Sequence, residues 1–267
     1  MTGTATGLAD ARTLLFVPGD RPERFAKAAA AEPDVVVLDL EDAVSAERKE
    51  QARVEVQLWL ADGHPACVRV NAAGTRWHDD DLAALRGVPG LLGVLLPMAD
   101  DPGVAAAVHR ALGVPVLAIV ETARGVLRCD ELADADGVVR LALGALDLAA
   151  DLGSDDPGTL ARVRTQLLLA SRAAGLAGPV ESVTTEVTDG EVAGRDAAAA
   201  RAVGMRGKLC VHPRQVGPVS AAFAPTEEEV TWARRVLEAV ADGGVGVVDG
   251  QMVDAPVLAR ARRILEE

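Results

Sequence analysis

Tyrosine is absent from this 267-residue sequence, and phenylalanine and tryptophan occur only three times each. A core with so few rings has to be aliphatic. That suits Val/Leu-rich parallel strands covered by Ala-rich helices. Cysteine is scarce as well. Cys67, Cys129 and Cys210 are odd in number, widely spaced and form no C-x-x-C pair. This usage argues against a zinc site and points to a reducing, cytoplasmic compartment, with the thiols serving as packing residues. Residues 1–11 carry neither the basic nor the apolar stretch of a signal peptide, and no apolar run approaches the ~20 residues of a membrane helix. Positive charge is the last shortage. Lys and Arg total 27 against 40 Asp and Glu, a net charge of −13. Such a field repels phosphate backbones and anionic lipid, which counts against nucleic-acid and membrane-surface roles. An anionic substrate would need a local cluster of Arg or Lys, or a bound cation.

What is present is apolar and periodic. Apolar residues make up 49 %, too many for disorder, in a chain whose length suits one large α/β domain with a substantial core. Eight short β-rich runs recur: Thr13–Gly19, Val35–Leu40, Cys67–Asn71, Gly93–Pro97, Val116–Glu121, Arg140–Ala145, Gly178–Val183 and Gly207–His212. Helical stretches lie between them, among them Arg21–Ala31, Ser45–Ala61, Asp100–Leu112 and Asp189–Val203. The alternation implies a parallel sheet, and eight units within roughly 200 residues predict a closed (β/α)₈ TIM barrel. The competing fold, a doubly wound open sheet, would carry a glycine-rich phosphate loop after its first strand. VPGDRPER is not G-x-G-x-x-G. The barrel is expected over residues 1–225. A C-terminal helical extension follows over 226–267, with helical pieces Glu227–Ala241 and Val253–Leu265 either side of a Gly-rich joint, Asp242–Gly246. A piece hinged after a complete barrel could be a lid or an oligomerisation arm.

Barrel enzymes place their chemistry at the C-terminal ends of the strands. The second run ends Asp39-Leu40-Glu41-Asp42. These carboxylates form either a solvated loop that caps the next helix or an outer shell to a metal, with Lys49 as counter-charge. The third run carries Arg69 between two valines. An arginine there must find an anion, either in a structural ion pair with the second strand or in a substrate carboxylate. Glu121 ends the fifth run and Asp147 follows the sixth, so neighbouring strands bring the two together at the mouth. Two oxygen ligands, completed by water and substrate oxygens, suit Mg²⁺, or Mn²⁺ in its place, better than zinc. Alternatively each is a helix N-cap. Gly144 would let a ligand approach the backbone closely. His212 either caps a helix begun by Pro213 or contacts a ligand, while His64, His78 and His109 are expected at the surface. No G-x-S-x-G serine nucleophile occurs.

Seven segments in order, LFVPGDRPERFAKA, VVLDLEDAVSAERKEQAR, CVRVN, AIVETARG, LALGALDLAADLG, GKLCVHPRQ and GQMVDAP, resemble the motifs of the citrate lyase β-subunit-like family. This is the group of HpcH/HpaI aldolases and CoA-ester lyases that includes malyl-CoA and citramalyl-CoA lyases. The resemblance runs from about Arg12 to the C-terminus. It implies a barrel, one Mg²⁺ and reversible cleavage of a β-hydroxy acyl-CoA thioester to an acyl-CoA and an α-keto acid such as oxaloacetate, pyruvate or glyoxylate. It places the arginine that holds the substrate carboxylate at Arg69, and the metal carboxylates at Glu121 and Asp147, where Glu121 would also meet substrate. The lid aspartate that reaches a neighbouring subunit's site falls at Asp254, as general base, and the implied assembly is a homotrimer or a pair of trimers. CoA would lie over the first βα loop near Gly19, Arg21 and Lys27, unless those are ordinary surface residues. Two positions depart from the pattern: Leu146 stands where Glu is frequent, and Glu181 where Asp is common. Other outcomes within the resemblance are a citrate lyase β-subunit acting on an acyl carrier protein and a malyl-CoA-type thioesterase. A non-catalytic barrel that binds metal and keto acid is the reading of another class.

Overall fold

A computed structural model describes residues 7–240 and 246–266. All eight expected strands form, in a closed parallel barrel whose order follows the sequence. They are β1 (Thr13–Pro18), β2 (Val35–Asp39), β3 (Ala66–Arg69), β4 (Leu91–Leu96), β5 (Val116–Val120), β6 (Val138–Leu143), β7 (Val180–Glu181) and β8 (Gly207–Cys210). Most end one or two residues earlier than their apolar runs, because the last residues of those runs leave the ladder and line the mouth.

Alternation along each strand decides what faces the axis. Leu14, Val35, Val37, Cys67, Leu95, Leu117, Ile119, Ala142, Val180 and Leu209 meet in the interior, with Phe16 packed against them. Burying each large aliphatic side chain stabilises the fold by about 1.5–3 kcal/mol. One further step along the same faces leads to Asp39 on β2, Arg69 on β3, Glu121 after β5 and Gly144 after β6. The register places Asp39 beside Arg69 across β2 and β3. It also sets Val120 beside Leu143, just below Glu121 and Gly144. Near the other end of β6, Arg140 is wholly buried and donates to the carbonyls of Ala11 and Gly178. Burial pulls its pKa down to about 10.

The helices cover the barrel with narrow apolar stripes. On Lys49–Ala61 the buried apolar residues are Ala52, Val56 and Leu60, spaced four apart. Asp101 and Asp156 cap Pro102–Leu112 and Pro157–Ala173 through the amides of Gly103 and Thr159. No helix among the described residues is long and apolar enough to cross a membrane.

The chain divides into two compact units between Ala222 and Phe223. The second is not purely helical, as had been expected. Helices Glu227–Ala239 and Ala255–Glu266 are joined by an antiparallel hairpin of β9 (Gly246–Val248) and β10 (Gln251–Val253). Asp249 and Gly250 have φ of 51° and 76°, the two left-handed residues of a tight hairpin turn. Val253 is therefore a strand residue rather than the start of a helix, and it packs with Ala233, Val236, Ala261 and Ile264. Of the expected Gly-rich joint, residues 242–245 lie outside the described residues.

Candidate active site

Arg69, Glu121 and Asp147 line one cavity of about 50 Å³, together with Phe16, Ile119, Gly144, Leu146, Ser182, Val183 and Leu209. Strands β3, β5 and β6 thus deliver the three residues singled out in the sequence to a single place.

Arg69 fulfils the structural alternative and still reaches the cavity. Its Nε and Nη2 donate to the two carboxylate oxygens of Asp39, at 2.7 and 2.6 Å. Its plane lies over the Phe16 ring, 4.7 Å from the centroid. Asp39 is itself fixed by the amides of Glu41 and Ala43, so the pair is rigid. The remaining nitrogen, Nη1, lies 2.9 Å from Glu41 Oε2 and 3.5 Å from Asp42 Oδ2. Burial pushes the Glu41 carboxyl up to about 8. Arg69 opposes the rise, while Asp42, Glu121 and Asp39 add to it. Lys49 acts as a counter-charge to this loop through the field of Asp39, Glu41 and Asp42, and not through direct hydrogen bonds to their carboxylates. Its ammonium is held by the carbonyls of Leu40 and Glu41 and by Asn71 Oδ1.

Glu121 is buried, and its Oε1 accepts the Met98 N–H at 2.6 Å. Met98 has φ of 50°, a left-handed conformation that costs a side-chain-bearing residue about 1–2 kcal/mol. Burial pushes the Glu121 carboxyl up to about 7, with the Met98 hydrogen bond lowering it and the Asp147 charge raising it. Gly144 lines the cavity, where the sequence suggested a close ligand approach, and it has a second reason to be glycine. A Cβ there would lie 2.3 Å from Glu121 Oε2 and 2.6 Å from Glu121 Cβ. The glycine makes room for the glutamate. Asp147 is exposed in the first turn of helix Ala145–Leu152, which follows β6. It is not the N-cap residue, and Glu121 lies ahead of Thr122, whose side chain caps the next helix.

Two carboxylates line the same cavity, and one of them is buried with no cationic hydrogen-bond partner. Such hard oxygen donors fit Mg²⁺ or Mn²⁺, which fill their remaining positions with water or substrate oxygens. Among the described residues no group of three or more His, Cys, Asp or Glu could hold a metal by itself.

The other sequence candidates are placed as follows. Gly19 is buried, and the space its side chain would need is filled by the Asp39 carbonyl at 2.7 Å, Val56 and Leu40. Arg21 and Lys27 are exposed. Asp254 belongs to the second unit, where its Oδ1 accepts the Val257 amide at the start of Ala255–Glu266. Glu181 points outward from the barrel and makes a two-pronged pair with Arg164, at 2.7 and 2.9 Å. His212 is a helix cap that accepts from the Arg214 amide. One expected surface histidine is not at the surface, and another is only partly exposed. His78 is buried with Nδ1 2.7 Å from the Asn71 carbonyl. His109 is half-buried, and a Cβ on Gly137 would meet its ring at 2.0 Å. The three cysteines are buried, as packing residues should be. Phe16, Met98 and Ser182 escaped the sequence reading. Met98 acts through its backbone and leaves no mark in composition. Ser182 Oγ accepts the Ala145 amide and so steadies the start of the Asp147 helix.

The family model for the HpcH/HpaI aldolase/citrate lyase domain matches residues 12–213, and that for the HpcH/HpaI aldolase C-terminal domain matches 228–267. A citrate lyase subunit beta-like protein of Mycobacterium tuberculosis is 41 % identical over 94 % of this chain and 93 % of its own. A (3S)-malyl-CoA thioesterase of Cereibacter sphaeroides is 33 % identical over 95 % of this chain and 93 % of its own. Among solved structures, CitE from Mycobacterium tuberculosis in complex with magnesium, acetoacetate and coenzyme A superposes with a TM-score of 0.84. It is 39 % identical, over 97 % of this chain and 98 % of that one.

Proposed function

The chain belongs to the HpcH/HpaI aldolase/citrate lyase family, and from that premise we propose that it is a Mg²⁺-dependent carbon–carbon lyase. Its substrate is a β-hydroxy acyl-CoA thioester, cleaved reversibly to an acyl-CoA and a small α-keto acid. The observation that carries this reading is the shared cavity of Arg69, Glu121 and Asp147. One cation-binding pair and one fixed guanidinium are what a keto acid requires, since it offers a carboxylate beside a carbonyl oxygen.

Glu121 and Asp147 would hold the cation, which supplies Lewis acidity and a template for oxygen ligands when bound. Arg69 orients the keto-acid carboxylate through the edge that Asp39 leaves free. Phe16, Ile119, Val183 and Leu209 give this part of the cavity apolar walls, which strengthens both electrostatic contacts. In the condensing direction Asp254 takes the α-proton of the acyl thioester as general base. The keto carbon then accepts the new C–C bond, its oxygen takes a proton from solvent to become the β-hydroxyl, and Asp254 releases its proton to solvent. In cleavage the hydroxyl proton is lost to solvent, the same bond breaks, and protonated Asp254 returns a proton to the enolate carbon. Arg21, on the loop after β1, and Lys27, in the helix Phe25–Ala29 that follows it, are the cations assigned to the CoA phosphates. Asp254 is supplied by a neighbouring copy in a trimer or pair of trimers.

The similarity to a thioesterase supports a second outcome, hydrolysis of the thioester to free CoA and a hydroxy acid. One experiment separates the readings. The protein is incubated with Mg²⁺ and a panel of hydroxy acyl-CoA esters, and the products are identified by mass. Acyl-CoA plus keto acid supports the lyase. Free CoA plus the intact hydroxy acid supports the thioesterase. No turnover of CoA esters, with turnover of the carrier-protein thioester, identifies a citrate lyase β-subunit. No turnover of any, with keto acid still bound, identifies a non-catalytic barrel.

A further inference from the structure

The end-on edge of Arg69 already has an occupant. A guanidinium offers five N–H donors. Asp39 consumes Nε and one proton of Nη2, which leaves the edge made by Nη1 and the second Nη2 proton. Glu41 Oε2 lies 2.9 Å from Nη1. This oxygen is buried and makes no aligned hydrogen bond. A carboxylate so placed has the charge and reach of the group that the proposed substrate would bring to the same edge.

We propose that Glu41 competes with the substrate carboxylate for Arg69, so that substrate binds by displacing it. The inference rests on the reading of Arg69 as the carboxylate binder. It makes Glu41 a residue that sets affinity and favours substrates whose carboxylate can displace it. A neutral ligand cannot.

The charges around Glu41 are consistent with displacement. Arg69 faces it from β3 and Glu121 from the end of β5, and Asp39 and Asp42 flank it on its own segment. Lys49, from helix Lys49–Ala61, grips the Glu41 backbone carbonyl, which holds the main chain without holding the carboxylate. Asp39 holds the other edge of Arg69 through two hydrogen bonds, so Glu41 is the carboxylate of this pair that can leave. Burial favours the protonated acid, with the carboxyl pushed up to about 8. Protonated Glu41 surrenders the edge readily, whereas ionised Glu41 contests it.

Pyruvate is the probe. Its binding to the full chain is measured by calorimetry with Mg²⁺ at about pH 9, where Glu41 is ionised, and at about pH 6.5. Glu41→Gln keeps the size and removes the charge. At the higher pH it should bind pyruvate about fivefold or more tightly than wild type, a difference of roughly 1 kcal/mol. At the lower pH the two should converge. Asp42→Asn, which removes a more distant, solvent-exposed charge, should change affinity less than Glu41→Gln does. Equal effects of the two variants would show a field rather than an occupant and overturn the proposal. So would unchanged or weaker binding by Glu41→Gln at the higher pH. Weaker binding by both Glu41→Gln and Glu41→Ala would make Glu41 a substrate-holding group instead. If neither wild type nor Glu41→Gln binds pyruvate at either pH, the assignment of Arg69 and this proposal fall together. If wild type binds and Glu41→Gln gains nothing, only the competition falls.

Discussion

Replacing Gly144 by alanine adds one methyl group and should damage both stability and cation binding. The added carbon would lie 2.3 Å from Glu121 Oε2, 2.6 Å from Glu121 Cβ and 3.1 Å from Ile119 Cγ2. Gly144 has φ of −100°, so the strain is steric and not conformational. The glutamate has to move, and in moving it gives up the 2.6 Å hydrogen bond from Met98. Overpacking costs about 1–3 kcal/mol. Loss of a hydrogen bond to a charged group adds about 1.5–3 kcal/mol. Together these should lower stability by roughly 2.5–6 kcal/mol, which for a chain of this size is a fall in melting temperature of roughly 5–10 °C. Scanning calorimetry without metal measures the first effect, and titration calorimetry with Mg²⁺ the second, at a temperature where the variant is folded. Gly7→Ala is the control, because nothing lies within 4 Å of a Cβ there. It should stay within about 0.5 kcal/mol of wild type. A Gly144→Ala protein that melts with the control and binds Mg²⁺ normally would refute the argument that Glu121 fills this space.

Asp147→Ala removes an exposed carboxylate and should leave the melting temperature of the metal-free protein nearly unchanged while abolishing measurable Mg²⁺ binding. Wild-type metal affinity in this variant would withdraw Asp147 from the site. Burial pushes the thiols of Cys67 and Cys210 up to about 12 from 9.0 and raises that of Cys129. Native protein at about pH 8 should therefore resist iodoacetamide, and all three cysteines should react in denaturant. The folded thiol pKa is raised, so the stability contributed by protonated Cys67 and Cys210 is fully present below pH 9.0 and is lost as pH rises through about 12. Alkaline melting curves check that window. Asp254→Asn keeps an acceptor for the Val257 amide, so the helix start should survive. Mg²⁺ and pyruvate should bind it as they bind wild type, while condensation with acyl-CoA slows by orders of magnitude; normal condensation would remove Asp254 as the base.

The eight strands were legible because each is a short apolar run whose character does not depend on distant residues. Their parallel closure followed from the helical stretches between them. Arg69, Glu121 and Asp147 could be picked out for the same local reason. A charged group at the end of an apolar run sits where a barrel strand meets solvent. The hairpin of β9 and β10 was equally local and was missed. VVDGQMV carries the Asp-Gly turn signal, but the run was read as a joint followed by a helix.

Register, burial and partner choice were decided elsewhere. Whether Arg69 meets Asp39 depends on how β2 and β3 align, and those residues are 30 positions apart. Gly144 is a glycine because of Glu121, a residue of the preceding strand unit. His78 is buried against the Asn71 carbonyl, and the Lys49 ammonium donates to the carbonyls of Leu40 and Glu41 while its charge faces the nearby carboxylates. A sequence states which groups are costly to leave unpaired, since charge and hydrogen-bonding capacity belong to the residue. Which partner satisfies each group is settled by closure of the barrel, which brings strand ends within hydrogen-bonding distance irrespective of their separation along the chain.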